Sequence, residues 1–376
     1  MPAISAEITI EELTDDPHPV LARLRATEPV AWLPALNGWL ITSYALVDAV
    51  LRDPGTFTVD DPRFSTARVV GPSMLSTDGP AHTHHRDPFG PAFRPAAVRT
   101  RFAASIQACT DTLLDGIRAR GTAELRREFA GPLAVNVLVD VLGLTGIAAN
   151  TMLTWYDAIS AAVSGISAGQ PIPPTATEAF GALRAAIEAS TKHPSLMAEV
   201  AASLDLHATV SNAAVLLFGG IDTVEGMITN AALHLLTHPG QWPADADSLA
   251  NAVEESLRLE PAAALLDRYA TRDIELAGAR IRAGDLVSVS LSGAHRDPAV
   301  FADPDAFDIS RANARQHLAF ARGPHFCLGA ELARLEATTA LAALTALPGL
   351  RLARPVTPRG LVFRKPPELL VQWDKR

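Results

Sequence analysis

A mainly α-helical fold with small β-sheets is predicted by three features of this chain. From about residue 92 to residue 235, apolar residues recur three and four positions apart, the spacing of one helix face. Short β-branched stretches between turn residues are confined to the two ends and to residues 273–292. No repeat or low-complexity linker divides the 376 residues, so one domain over residues 1–376 is expected.

In the first 60 residues a short helix pattern around Pro19–Leu24 precedes a strand-like Gly38-Trp39-Leu40-Ile41-Thr42. The helical region is interrupted at Gly121, Gly131, Gly143-Leu144-Thr145 and Gly169 to Pro174, where glycine and proline disfavour continuation. A long helix is expected over residues 207–238, stopped by Pro239-Gly240, and another over 247–259, ended before Pro261. Ile274-Glu275-Leu276 and Ala279-Arg280-Ile281 flank Ala277-Gly278, a hairpin signal. A Pro/Asp-rich irregular stretch over 297–317 leads to a last helix over about 327–347. Residues 361–373 read as a small hairpin.

About half of the residues are apolar and the net charge is −9. The acidic balance argues against general nucleic-acid binding. No apolar run approaches the roughly 18 residues of a membrane span, and no basic-then-apolar leader opens the chain. A cytoplasmic protein is therefore expected. The only lysines are Lys192, Lys365 and Lys375, and the only cysteines are Cys109 and Cys327, which excludes a disulfide framework.

Cys327 lies in Phe320-Ala321-Arg322-Gly323-Pro324-His325-Phe326-Cys327-Leu328-Gly329-Ala330. A turn precedes it and a helix pattern follows, so it sits near a helix N-terminus, where free N–H groups and the helix dipole favour a thiolate. A free cysteine is most often a small core residue; here the neighbours argue otherwise. The segment resembles the cysteine-ligand loop of the cytochrome P450 superfamily, with Gly323, His325, Cys327 and Gly329 at the matching distances from Phe320. Ala321 departs from the glycine common there.

The resemblance extends, in order, from about Pro17 to Trp373. It implies the P450 fold, with a haem b between the long helix and the helix after Cys327, whose sulfur ligates the iron. Glu255 and Arg258 match the family's Glu-x-x-Arg helix, and Arg311 the arginine that joins them; all three are expected to be structural. Phe218-Gly219-Gly220-Ile221-Asp222-Thr223 is similar to the oxygen-activation segment. The paired glycines are expected to open the helix there, with Asp222 and Thr223 passing protons to bound dioxygen. His82, Arg86, Arg268 and His325 are implied to hold the haem propionates, with Phe320 and Gly329 also beside the cofactor. His84 and His85 are expected on the surface.

Family placement also names a substrate pocket: Val69, Val70, Met74, Val215, Phe218, Gly219, Ala264, Leu265, Val362 and Phe363. Its apolar character implies a small to medium, largely hydrophobic molecule. The implied activity is monooxygenation, fed by a ferredoxin and ferredoxin reductase, with Arg94, Arg99, Arg101 and Arg334 as candidate docking cations. Three alternatives stay open: a peroxide-dependent oxygenase on the same fold, a non-catalytic haem sensor, and a haem-free helical binding protein.

Overall fold

The computed structural model describes residues 4–144, 146–167 and 170–375; the breaks expected at Thr145 and Gly169 fall outside them. Seven helices frame the site: α1 (Gly79–Arg86), α2 (Pro95–Arg118), α3 (Gly131–Val141), α4 (Ala149–Ser167), α5 (Leu206–Thr237), α6 (Ala246–Leu259) and α7 (Ala330–Thr345). Among the described residues the ten strands are β1 (Val30–Leu33), β2 (Gly38–Ile41), β3 (Phe57–Thr58), β4 (Thr122–Glu124), β5 (Leu265–Ala270), β6 (Ile274–Leu276), β7 (Ala279–Ile281), β8 (Leu286–Ser290), β9 (Arg351–Leu352) and β10 (Leu370–Gln372).

α5 is the axis of the helical body. Asp205 caps its first turn by accepting from the Ala208 N–H at 2.7 Å, and the helix stops ahead of Pro239. It is buried nearly all round, as a central helix must be, and packs against α3, α6 and α7. Leu133, Val137, Ile221, Val224, Leu257 and Leu341 belong to the same large apolar core. α6 presents its buried side through Leu249, Ala252, Val253 and Leu257, after a capping box between Asp245 and Ser248.

A five-stranded sheet runs in the order β1-β2-β8-β5-β3, antiparallel except for the parallel β2–β8 pair, in which Trp39 faces Val287. β6 and β7 form the expected hairpin, turning on Ala277 and Gly278, both at positive φ. The terminal segment differs from expectation. β10 pairs with β4 and β9 rather than within residues 361–373, whose isolated bridges, Ala263–Phe363 and Arg359–Lys365, likewise reach outside that segment. The partners of β10 lie about 20 and 250 residues away, beyond the reach of any local turn signal.

Candidate active site

The cysteine loop closes on itself through the Cys327 N–H, which donates to the Phe320 carbonyl at 2.8 Å. Two of its residues have left-handed backbone: Gly323 at φ 68° and Ala321 at φ 57°. A side chain at Gly323 would place its Cβ 2.7 Å from the Leu51 carbonyl oxygen, so glycine is required there on two counts. Ala321 carries a residue that tolerates this conformation poorly, which explains why the family favours glycine.

α7 begins at Ala330, with Gly329 as its N-cap, so Cys327 stands just ahead of the helix rather than in its first turn. Burial pushes the Cys327 thiol pKa up, opposed by a backbone hydrogen bond from Gly329 and by the charges of Arg86 and Arg334. The loop alone therefore does not make the thiolate expected from the helix end. A coordinated cation would, because metal binding deprotonates a thiol.

Around the loop, cationic side chains from three separate elements converge. His82 on α1 is buried and its ring lies 4.5 Å from that of His325. Its Nε2 is buried without a hydrogen-bond partner, and burial pulls its pKa down to about 4. His325 Nε2 pairs with Asp78 at 2.7 Å. Arg86 donates to the Phe326 carbonyl at 2.6 Å. Arg268 on β5 is buried, donates to the Asp267 carbonyl at 2.7 Å, and has its pKa lowered by burial to about 10. An orphaned buried nitrogen at His82 and a buried guanidinium at Arg268 are costly unless an acceptor occupies the site. The residues thus fit a group carrying carboxylates next to the Cys327 sulfur.

On α5 the core burial lapses for less than two turns. Residues 208–215 and 224–235 are buried, whereas Gly219 is exposed and Phe218, Gly220, Asp222 and Thr223 are half-buried. A Cβ added at Gly219 would meet nothing within 4 Å. The helix is nonetheless continuous, which corrects the expected opening of its ladder. The Thr223 hydroxyl bonds to the Gly219 carbonyl within the helix. Gly220 serves packing instead, since its Cβ would lie 2.8 Å from Leu138 Cδ1. Asp222 is fully engaged, by Lys365 Nζ at 2.6 Å and by the Tyr156 hydroxyl.

Glu255, Arg258 and Arg311 meet as expected and lie in the core, with Glu255 and Arg258 fully buried. Arg258 grips both Glu255 oxygens, at 2.7 and 2.8 Å, and Arg311 Nε reaches Glu255 Oε1 at 3.0 Å. The remaining guanidinium hydrogens bond the carbonyls of residues 295–306, which pins the irregular stretch preceding the cysteine loop.

Of the pocket residues, Phe218 and Phe363 meet edge-on with centroids 5.8 Å apart. Ala264 N–H donates to the Val362 carbonyl at 2.7 Å. Val70, Met74 and Val215 are buried together in the main core, with Val69 packed against it. Leu265 goes elsewhere: it packs with the N-terminal cluster of Leu13, Leu21 and Leu40. His84 is exposed, but His85 is half-buried and bonds Asn212 at 2.8 Å. Among the docking cations, Arg94, at the N-cap of α2, and Arg99, on α2, are exposed. Arg101 is paired with Glu199, and Arg334 with Glu254 and Glu331. Sequence reasoning missed Asp78, Tyr156, Glu225 and Lys365. Lys365 carried one signal, a lysine in a chain that otherwise uses arginine.

A helical body with a cysteine loop just ahead of a helix, basic side chains gathered beside that loop and a partly open turn on the central helix fits a protein that holds a cofactor through a thiolate. Comparison with known proteins names it. The cytochrome P450 family model matches residues 247–345. The chain is 36% identical over 351 residues to the 20-oxo-5-O-mycaminosyltylactone 23-monooxygenase of Streptomyces fradiae, covering 88% of this chain and 82% of that one. It is 34% identical over 401 residues to the nocardicin C N-oxygenase of Nocardia uniformis subsp. tsuyamanensis, covering 95% and 96%. The solved structure of CalO2 superimposes with a TM-score of 0.86 at 29% identity, over 98% of this chain and 99% of that one. This chain belongs to the cytochrome P450 family, in its bacterial form. It is a monooxygenase, an oxidoreductase whose family carries a thiolate-ligated haem iron and draws electrons from redox partners. Among the described residues no helix is long and apolar enough to cross a membrane.

Proposed function

We propose that the chain, working as one domain in the cytoplasm, holds haem b through Cys327 Sγ and uses dioxygen to oxidise a largely hydrophobic small molecule. The observation that carries this is the orphaned, buried His82 Nε2 within the cation cluster beside the Cys327 loop. His82, Arg86, Arg268 and His325 are the partners for the two propionates, an arginine fork suiting a carboxylate. Phe320 and Gly329 give the macrocycle an apolar neighbour and close backbone approach. Glu255, Arg258 and Arg311 hold the loop that delivers the cysteine.

When bound, the haem iron supplies activation of dioxygen, so that one oxygen atom is inserted into a C–H bond or an alkene. The protein's own residues do the rest. Asp222 takes up protons from the solvent side and Thr223 presents its hydroxyl at the open turn of α5, where a proton is required. This pair favours dioxygen over peroxide as the oxidant, because a peroxide user needs no such delivery. Val69, Val70, Met74, Val215, Phe218, Gly219, Ala264, Val362 and Phe363 form the apolar surroundings of the substrate. The relatives' names span a 23-monooxygenase and an N-oxygenase, so position and atom oxidised vary within this fold. A ferredoxin, reduced by its reductase, would dock over the exposed Phe326 and Arg94 and Arg99.

The test is the optical spectrum of the reduced holoprotein with carbon monoxide, beside Cys327→Ala. A thiolate-type red-shifted Soret band in the native protein and its loss in the variant are expected. A histidine-type band in the native protein, or a band that survives the substitution, refutes the ligand assignment.

A further inference from the structure

Lys365 has a side chain only 11% exposed and belongs to none of the expected site residues. It lies in a short extended strap, residues 363–365, held at one end by the Ala263–Phe363 bridge and at the other by the Arg359–Lys365 bridge. Side chains two apart on an extended segment point to the same side, about 6.6 Å apart. On α5, Phe218, Asp222 and Glu225 stand at i, i+4 and i+7, one face of a helix with about 6 Å between the first two. The two spacings match, and the strap lies along that face. Phe363 meets the Phe218 ring, and Lys365 Nζ donates to Asp222 Oδ1 at 2.6 Å and to Glu225 Oε2 at 2.7 Å.

The residue between them faces the other way and anchors the strap. Arg364 is buried, donates to Glu260 at 2.8 Å, and its carbonyl accepts from Asn230 of α5 at 3.0 Å. Glu225 is held in turn by Arg126, from the π-helical turn Arg126–Ala130 that leads into α3. Asp222 therefore has one oxygen fixed by the strap and the other by Tyr156 of α4.

We propose that Lys365 is a positioning residue for Asp222, fixing its carboxylate at the solvent end of the proton path through a strap whose other side chain, Phe363, lies against the pocket residue Phe218. This inference rests on the reading of Asp222 as a proton relay. A lysine suits the role because its ammonium serves two carboxylates on adjacent turns at once. Removing it leaves Asp222 and Glu225 as like charges on one helix face, each then held from one side only, by Tyr156 and by Arg126.

The test uses the holoenzyme and the scarcity of lysine. With lysine labelled at 13Cε, the diamagnetic ferrous–carbon monoxide form gives three lysine signals, and Lys365→Arg identifies that of Lys365 by its loss. Asp222→Asn is expected to shift the Lys365 signal and leave the other two in place; no shift overturns the proposal. The second readout is the rate of NAD(P)H oxidation without added substrate, driven by a surrogate ferredoxin and reductase, in H2O and D2O. Lys365→Gln is expected to slow it about tenfold and enlarge the solvent isotope effect, a fraction of what a full acid–base group contributes. Lys365→Arg is expected to restore most of the rate, which a merely structural loss would not do. If Asp222→Asn slows the reaction and Lys365→Gln does not, the positioning role is wrong and the relay stands. If Asp222→Asn has no effect, the relay reading falls and the positioning role falls with it.

Discussion

Replacing Glu255 by alanine is the sharpest test of how the cysteine loop is supported. Glu255 and Arg258 are both at 0% exposure and Arg311 at 8%. The carboxylate accepts three guanidinium hydrogen bonds and the Asp308 N–H. Its removal leaves two buried guanidinium groups with no hydrogen-bonded carboxylate, only the half-exposed Asp308 nearby, although their contacts to backbone carbonyls persist. Breaking a buried pair in this way costs about 3–5 kcal/mol, most of it the penalty of the stranded charge. With roughly 2 °C lost per kcal/mol in a large domain, the melting temperature should fall by about 6–10 °C. The assay is guanidinium unfolding of the holoprotein followed by far-ultraviolet circular dichroism, with the Soret band read in parallel. An internal control is Asp115→Ala, which breaks the exposed Arg118–Asp115 pair and should change stability by less than about 0.5 kcal/mol. A Glu255→Ala cost below 1 kcal/mol, or one equal to the control, would refute the argument that desolvated charge rather than contact number sets the penalty.

Two further outcomes follow from the same coordinates. Stability should decline in two stages as pH falls. Burial pushes His234 down to about 3, so the folded state keeps it neutral while the unfolded chain takes up a proton below about pH 6.5. Glu254 and Glu260 are buried, which alone would raise them, but His317 and Arg334 pull the first to about 2, and His18, Arg364 and Arg296 pull the second to about 2. Their contribution is present above the ordinary carboxylate range and is lost as pH drops through it towards 2. Urea midpoints measured from pH 7 to pH 3 should fall throughout, and His234→Phe should flatten the upper stage; a constant midpoint between pH 6.5 and 4.5 would contradict this. Gly323→Ala combines a positive φ with a Cβ 2.7 Å from a backbone oxygen, and should cost about 2 kcal/mol or more. Gly219→Ala meets open space and should stabilise α5 by roughly 0.5–1 kcal/mol. Equal effects in thermal melts would show that the loop is not closed as described.

The helices, the β6–β7 hairpin and the motif positions were legible in the sequence, because each is written in contacts a few residues apart. The 3.6-residue apolar period marked α5 and α6 to within a residue, and Pro239 and Pro261 marked where they stop, whereas their N-caps, Asp205 and Asp245, came only from the structure. The turn residues around Cys327 announced its loop, and the spacing of Glu255 and Arg258 put them on one face of α6. Those are local rules, and they hold whatever the rest of the chain does.

The tertiary structure decided everything that depends on residues distant in sequence meeting in space. The paired glycines of α5 suggested a break, yet the helix is whole, because Thr223 bonds the Gly219 carbonyl and Leu138 of α3 fills the space at Gly220. Leu265 was assigned to the pocket by position, but it packs, partly buried, against the N-terminal cluster. Asp222 is joined to Lys365, 143 positions away, and to Tyr156, 66 positions away, and no periodicity could announce those partners. The strand at residues 370–372 found its neighbours at 122–124 and 351–352 for the same reason. Local pattern determined which elements form and where the motifs fall along them; packing across the chain determined which charges are buried together and therefore which of those residues are held in place.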